Sequence, residues 1–184
     1  MILAQDSFLT ERAFDGLQKE CMEADFKEVQ AGDKSFLCIE TPRWLYEHLN
    51  IEDHRIIFTF IRKAHKDFDR ELRIHNDSII NGVRPALASV LYINPEKGVT
   101  PNGTAFWNHS KYGDRVSKDV SDKEFDRLLT KDANVAKKWR KTSYIASKPN
   151  RLLVYSADYF HSKFPMVIQE GERIVCATFY EKND

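Results

Sequence analysis

From about Asp69 onward the chain breaks into short apolar or alternating runs, and this texture limits the fold more than any other feature. The runs cover residues 71–75, 85–93, 104–109, 142–146, 151–155, 161–166 and 173–180. β-Branched and aromatic residues recur in them, and these suit a pleated, half-buried surface. Asn81-Gly82, Asn102-Gly103 and Glu170-Gly171 separate them as turns. Many short strands at this spacing predict a double sheet of the sandwich or barrel kind.

The first part of the chain reads differently. Residues 10–22 predict a helix, with Phe14, Leu17 and Cys21 on one stripe. Strand-like pieces follow at 26–29 and 36–39. Thr41-Pro42 opens a second helix carrying Trp44, Leu45 and Leu49, because proline suits a first helical position. Residues 51–65 continue as helix, with Ile56, Ile57, Phe60 and Ile61 as its stripe. Together these predict one domain over 1–184: helical N-terminal support over 1–68, then a β core over 69–184. A charged insert at 110–140 interrupts the core, with Phe125, Leu128 and Leu129 as its apolar face. A segment this long is either a lid or a solvated helix on the outside of a sheet.

Composition closes several other routes. Apolar residues make up 42% and the 28 basic residues balance the 28 acidic ones, so nothing indicates a nucleic acid as partner. The short basic cluster Lys137-Lys138-Trp139-Arg140 suits a helix end better than a nucleic-acid patch. Cys21, Cys38 and Cys176 are odd in number and far apart, which argues against a disulfide framework or a zinc ribbon. No apolar run reaches the roughly 18 residues of a membrane span, and the first residues lack the character of a signal peptide. A cytoplasmic protein is the expectation.

His75-Asn76-Asp77 carries the chemistry. In an extended strand, residues i and i+2 point to one side, so His75 and Asp77 aim at one point. His161 follows the apolar run Leu152-Leu153-Val154-Tyr155, and a histidine opening a core strand must be satisfied. Two imidazoles and a carboxylate can hold one face of an octahedral iron and leave the other positions open. Arg173 begins an apolar strand whose inner face also carries Val175, Ala177 and Phe179. A guanidinium there needs an anion, and a carboxylate can satisfy it bidentately.

With these residues in place, the sequence resembles the Fe(II)- and 2-oxoglutarate-dependent oxygenase superfamily, in its prolyl-hydroxylase-like branch. The match lies in His75, Asp77, His161 and Arg173. It extends to Pro149-Asn150-Arg151-Leu152-Leu153-Val154-Tyr155-Ser156-Ala157-Asp158 ahead of His161, to Leu91-Tyr92-Ile93-Asn94, to Asn102-Gly103-Thr104-Ala105-Phe106-Trp107, and to Asp6-Ser7-Phe8-Leu9-Thr10 at the entry to the first helix. It covers residues 70–181 well and the first 65 loosely. It implies a mainly β fold with flanking helices: a double-stranded β-helix, jelly-roll and cupin-like, with the N-terminal helices packed outside. His75, Asp77 and His161 would be the metal ligands and the catalytic centre. Arg173 would pair with the 5-carboxylate of 2-oxoglutarate, and Tyr92 would hydrogen-bond the same group. Fe(II), 2-oxoglutarate and O2 would be the cofactors. Asn102 stands where the branch has a first glycine, a replacement that also tolerates positive φ. Val175 stands where some branches have Ser or Thr. Asp77 is a true carboxylate, unlike the small residue of halogenating relatives.

The implied activity is oxidative decarboxylation of 2-oxoglutarate to succinate and CO2, coupled to hydroxylation of a small molecule or side chain. Arg84 would lie near the pocket mouth. Trp107 and His109 share a strand face, either toward the cavity as substrate contacts or as core and rim. Two other readings stand beside this one. One is a non-catalytic double-stranded β-helix that binds a ligand or partner. The other is a cupin-type metalloenzyme that does not use 2-oxoglutarate.

Overall fold

The computed structural model describes residues 1–31, 34–65, 73–77, 80, 82–94, 102–116, 120–165, 168 and 171–183. Among these residues, ten strands form two antiparallel sheets. They are β1 (Ile2–Gln5), β2 (Lys27–Ala31), β3 (Lys34–Glu40), β4 (His54–His65), β5 (Leu87–Tyr92), β6 (Gly103–His109), β7 (Trp139–Ile145), β8 (Arg151–Ser156), β9 (His161–Phe164) and β10 (Glu172–Lys182). The larger sheet runs β1-β8-β5-β10-β4-β3-β2 and the smaller β7-β6-β9. This is the expected mainly β, double-sheet architecture.

Period-two alternation sorts the side chains into three cores. On β10, Ile174, Cys176 and Tyr180 turn outward, while Val175 and Phe179 turn in. β5 divides the same way, with Leu91 outward and Val90 and Tyr92 inward. The outward face is covered by α1 (Glu11–Glu23) through Phe14, Leu17 and Cys21, and by α2 (Arg43–Leu49) through Leu45 and Leu49. Thr10 caps α1 by accepting from the Ala13 amide, which satisfies one of its orphan donors. Pro42 stands one place earlier than expected, as the cap of α2, and Trp44 faces solvent. Between the sheets lie Val90, Tyr92, Phe106, Leu153, Tyr155, Val175 and Phe179. A third core of Ile74, Ala105, Trp107, Leu128, Trp139 and Phe160 backs the smaller sheet.

The N-terminal expectation needs correction. Residues 51–65 are not a helix; most of them form β4, which pairs with β10 along one edge and β3 along the other. Apolar residues fall on both of its faces, Ile61 in the outer core and Phe60 against the inner one, and mask the period of two. The run Ile56-Ile57-Phe58-Thr59-Phe60-Ile61 is β-branched and aromatic throughout, and sheet pairing prevails over the chance helical stripe. The described part of residues 1–68 therefore supplies four strands as well as two helices.

The insert contains α3 (Asp122–Arg127), a π-type turn over Leu128–Asp132 and a 3-10 turn over Ala136–Lys138. Leu128 is buried as expected; the side chains of Phe125 and Leu129 lie outside the described residues. Trp139 of the basic cluster is core, its Nε1–H donating to the Asp132 carbonyl at 2.7 Å. Gly82 and Gly171 have positive φ, as their turns require; Asn81 and Glu170 fall outside the described residues. Gly103 opens β6 rather than a left-handed turn. Its need for glycine is spatial, since a Cβ there would run into the Ile145 carbonyl and come within 2.9 Å of Ala146 Cα. All three cysteines are free. Among the described residues, no helix is long and apolar enough to cross a membrane.

Candidate metal centre

A single antiparallel bridge between His75 and His161 builds the site. Each backbone N–H donates to the other's carbonyl, at 3.0 and 2.8 Å. Directly opposed residues carry their side chains close together, and the two rings stand 4.5 Å apart. The Asp77 amide donates to the Ala157 carbonyl at 2.9 Å, which fixes the carboxylate two residues beyond the bridge. Residues 74–77 thus follow Arg73, whose φ is +46°, and join the sheet only through the His75 bridge, outside any named strand; residues 71 and 72 lie outside the described set.

The ring orientations repeat one device. His75 Nδ1 lies 2.7 Å from the Arg73 carbonyl, and His161 Nδ1 lies 3.0 Å from the Tyr159 carbonyl. In both, the acceptor belongs to the residue two places earlier. A carbonyl accepts only, so each Nδ1 carries the proton and each Nε2 turns its lone pair inward. The ligand atoms of His75, Asp77 and His161 all lie within 4.8 Å of one another. His75 Nε2 is 3.8 Å from Asp77 Oδ1, and His161 Nε2 is 3.5 Å from Asp77 Oδ2.

Burial sets the charge state. It pushes His161 down to about 4. His75 also falls to about 4, first through burial and then through its neighbour His161, although its ring edge opens on the cavity. Burial pushes the Asp77 carboxyl up to about 6, opposed by His75 and by a hydrogen bond from Tyr155. Near neutral pH the site is two neutral imidazoles and one carboxylate. That donor set fits a divalent first-row transition metal, and three ligands on one side leave positions open.

Tyr155 reaches the same focus. Its hydroxyl is 3.0 Å from His161 Nε2 and 3.5 Å from Asp77 Oδ2, and burial holds its pKa well above the ordinary range. The sequence reading did not single it out. The signal was available: Tyr155 and Leu153 share the inner face of β8, six residues before His161.

A cavity of about 400 Å³ opens from the triad between the sheets. Arg173 lines it from the start of β10, 8% exposed, with Val175, Ala177 and Phe179 on the same wall. This is the predicted alternation. The Arg173 guanidinium carbon stands 5.7 Å from the centre of the Tyr92 ring. Tyr92 is buried behind it and shares a 2.8 Å hydrogen bond with Thr104, which does line the cavity. Burial raises the Tyr92 pKa, and Arg173 opposes that rise.

The three suggested substrate contacts lie elsewhere. Arg84 is exposed and does not line the cavity. Trp107 and His109 do share a face, but β6 turns it away from the cavity. Trp107 packs in the third core and donates to Ser162 Oγ at 3.0 Å. His109 is buried against Trp139 and Tyr112 and pairs with Asp132 Oδ2 at 3.1 Å.

No protein-family model and no curated sequence matches this chain. Solved structures do. HygX from Streptomyces hygroscopicus with iron bound is 12% identical, with a TM-score of 0.63 over 98% of this chain and 82% of its own. The non-heme alpha-ketoglutarate-dependent carbocyclase SnoK, from nogalamycin biosynthesis, is 11% identical, with a TM-score of 0.66 over 98% and 79%. A Pseudomonas putida prolyl-4-hydroxylase is 12% identical, with a TM-score of 0.50 over 100% and 93%. The fold is that of the 2-oxoglutarate–Fe(II) oxygenases. A further HygX structure holds nickel and 2-oxoglutarate. Within this oxygenase fold, the chain's own His–Asp–His cluster opens on the cavity between the sheets.

Proposed function

We propose that this protein is an Fe(II)- and 2-oxoglutarate-dependent oxygenase of the hydroxylase type. The observation that carries the reading is the convergence of His75, Asp77 and His161 on one point in a cavity that Arg173 also lines. Bound there with 2-oxoglutarate, iron would supply the O2-activating chemistry. The balanced outcome takes 2-oxoglutarate, O2 and a substrate C–H to succinate, CO2 and C–OH.

The protein's own residues have four tasks. The Nε2 atoms of His75 and His161 and the Asp77 carboxylate hold the metal. The Arg73 and Tyr159 carbonyls keep both imidazoles in the binding tautomer, the kind of outer support on which metal sites depend. Arg173 receives the far carboxylate of 2-oxoglutarate, with Tyr92 and Thr104 beside it. Phe60, Val90 and Phe179 present an apolar wall that limits water at the reacting centre.

The test is succinate formation from 2-oxoglutarate by Fe(II)-loaded protein in air, with the Arg173→Ala variant beside it. The expected result is iron-dependent succinate, including slow uncoupled turnover without substrate, that disappears in the variant. Metal binding without any 2-oxoglutarate binding would overturn the reading and favour a cupin-type metalloenzyme.

A further inference from the structure

We propose that the charged insert is a brace for the metal centre, and that Asn134 is the positioning residue through which it keeps His75 in the tautomer that can bind a metal. This inference deepens the oxygenase reading and rests on its metal centre, not on 2-oxoglutarate. The insert reaches both histidine supports. Near its start, the Asp114 carbonyl accepts from the Phe160 amide at 3.0 Å, and Arg115 forms an isolated antiparallel bridge with Tyr159. Tyr159 is the residue whose carbonyl receives the His161 Nδ1 proton. Toward its end, the Arg73 amide donates to Asn134 Oδ1 at 2.8 Å and the Ile74 amide donates to the Ala133 carbonyl at 3.1 Å. Arg73 is the residue whose carbonyl receives the His75 Nδ1 proton. One segment thus holds the residue two places before each ligand histidine.

The His75 side leans on the brace harder. The φ of +46° at Arg73 lies in the left-handed region that favours glycine. A residue with a side chain stays there only where its surroundings over-determine it. Asn134 holds its N–H and His75 holds its carbonyl, so the two bonds stand on either side of the strained residue. The end of the insert is itself fixed. Trp139 Nε1–H donates to the Asp132 carbonyl at 2.7 Å. The Lys111 amide donates to His109 Nδ1 at 3.2 Å, which leaves the His109 proton on Nε2, where it is donated to Asp132 Oδ2 at 3.1 Å. Ile74, fully buried, packs with Leu128 and Trp139 in the third core. His109 and Trp139 therefore serve the site from behind. What is at stake is one proton. Asp77 Oδ1 stands 3.8 Å from His75 Nε2 and is the competing acceptor. A ring released from Arg73 can carry its proton on Nε2 and give it to that carboxylate, and the two ligand groups are then spent on each other.

The experiment uses the full-length protein and two readouts. The first is side-chain nitrogen-15 NMR of chelated protein at about pH 7.5, where both rings are neutral. Wild type should show His75 and His161 with the proton on Nδ1. Asn134→Ala should move a large share of His75 to the Nε2–H form and leave His161 unchanged. The second is calorimetric titration with Ni(II). Its affinity should fall by the fraction of His75 rings still offering a bare Nε2, about three-fold or more. Asn134→Asp keeps the accepting oxygen and drops the amide donor, so it should recover both readouts. Asn134 is exposed, and thermal melting checks that the variants fold; Asn134→Ser takes the place of an alanine variant that does not. An unchanged His75 in a folded variant overturns the proposal, as does a shift of His75 and His161 together, a shift without loss of Ni(II) affinity, or an aspartate variant that recovers nothing. The metal-centre reading fails separately: wild type that takes up no Ni(II), while Asn134→Ala still shifts His75 alone, overturns that reading and leaves the brace supported.

Discussion

Asp77→Asn should strengthen the metal-free protein and disable the metal-bound one. The Asp77 carboxyl is 8% exposed, and its pKa climbs from the ordinary 3.8 to about 6 because burial penalises the anion. A climb of that size corresponds to about 3 kcal/mol of disfavoured ionisation. The sign follows from linkage: a raised pKa in the folded state gives stability that is full below pH 3.8 and is lost as pH rises through about 6. An amide of the same shape stays neutral, and its NH2 would replace an oxygen 3.5 Å from the His161 Nε2 lone pair. Allowing for imperfect hydrogen bonds, the gain is about 1–3 kcal/mol, or roughly 3–10 °C in a domain of this size. Differential scanning calorimetry of chelated protein between about pH 4 and pH 8 checks it. The variant should melt above wild type at the alkaline end, and the gap should close toward pH 4. Excess Fe(II) or Ni(II) should then reverse the order, because at about 1,000-fold above Kd a ligand adds about 4.1 kcal/mol to wild type alone. A variant that melts below chelated wild type at pH 8, or a gap independent of pH, would refute the account of Asp77 as a carboxylate held charged for a cation.

The other predictions separate cavity from scaffold. Arg173→Ala should weaken 2-oxoglutarate binding by about 10- to 100-fold with metal affinity unchanged, measured by calorimetry on the Ni(II) form. Metal affinity of the wild type should rise as pH increases through about 6 and then level off, because Asp77 must lose its proton while both histidines, at about 4, are already neutral. Trp107→Phe should cost about 1 kcal/mol of stability through loss of the Ser162 bond, yet leave metal and 2-oxoglutarate affinities alone. Gly103→Ala should lower the melting temperature sharply by forcing β6 and β7 apart, by about 3 kcal/mol or more.

Much of the site was legible because its elements rest on the two-residue period of a strand. That period alone placed Arg173, Val175, Ala177 and Phe179 on one face, and all four line the cavity. It failed where a strand carries apolar residues on both faces. On β4 they fall on either side, so its alternation looked helical. For Trp107 and His109 the period correctly grouped the pair but could not say which face is which. That choice is made by the third core, whose residues Ile74, Leu128, Trp139 and Phe160 come from four separate stretches of chain. No local pattern carries that information.

The histidine supports were unreadable for a related reason: their acceptors are backbone carbonyls, which any residue type supplies. Yet the same geometry shows why the arrangement tolerates so little sequence likeness. The bridge between His75 and His161, the two Nδ1–H bonds to carbonyls two residues back, and the Asp77 amide bond to Ala157 all have main-chain acceptors. On the proposed function, only His75, Asp77, His161 and the cation on β10 need be particular residues. A fold that fixes its reacting centre through backbone bonds can exchange the rest of its wall, and the wall is where substrates differ.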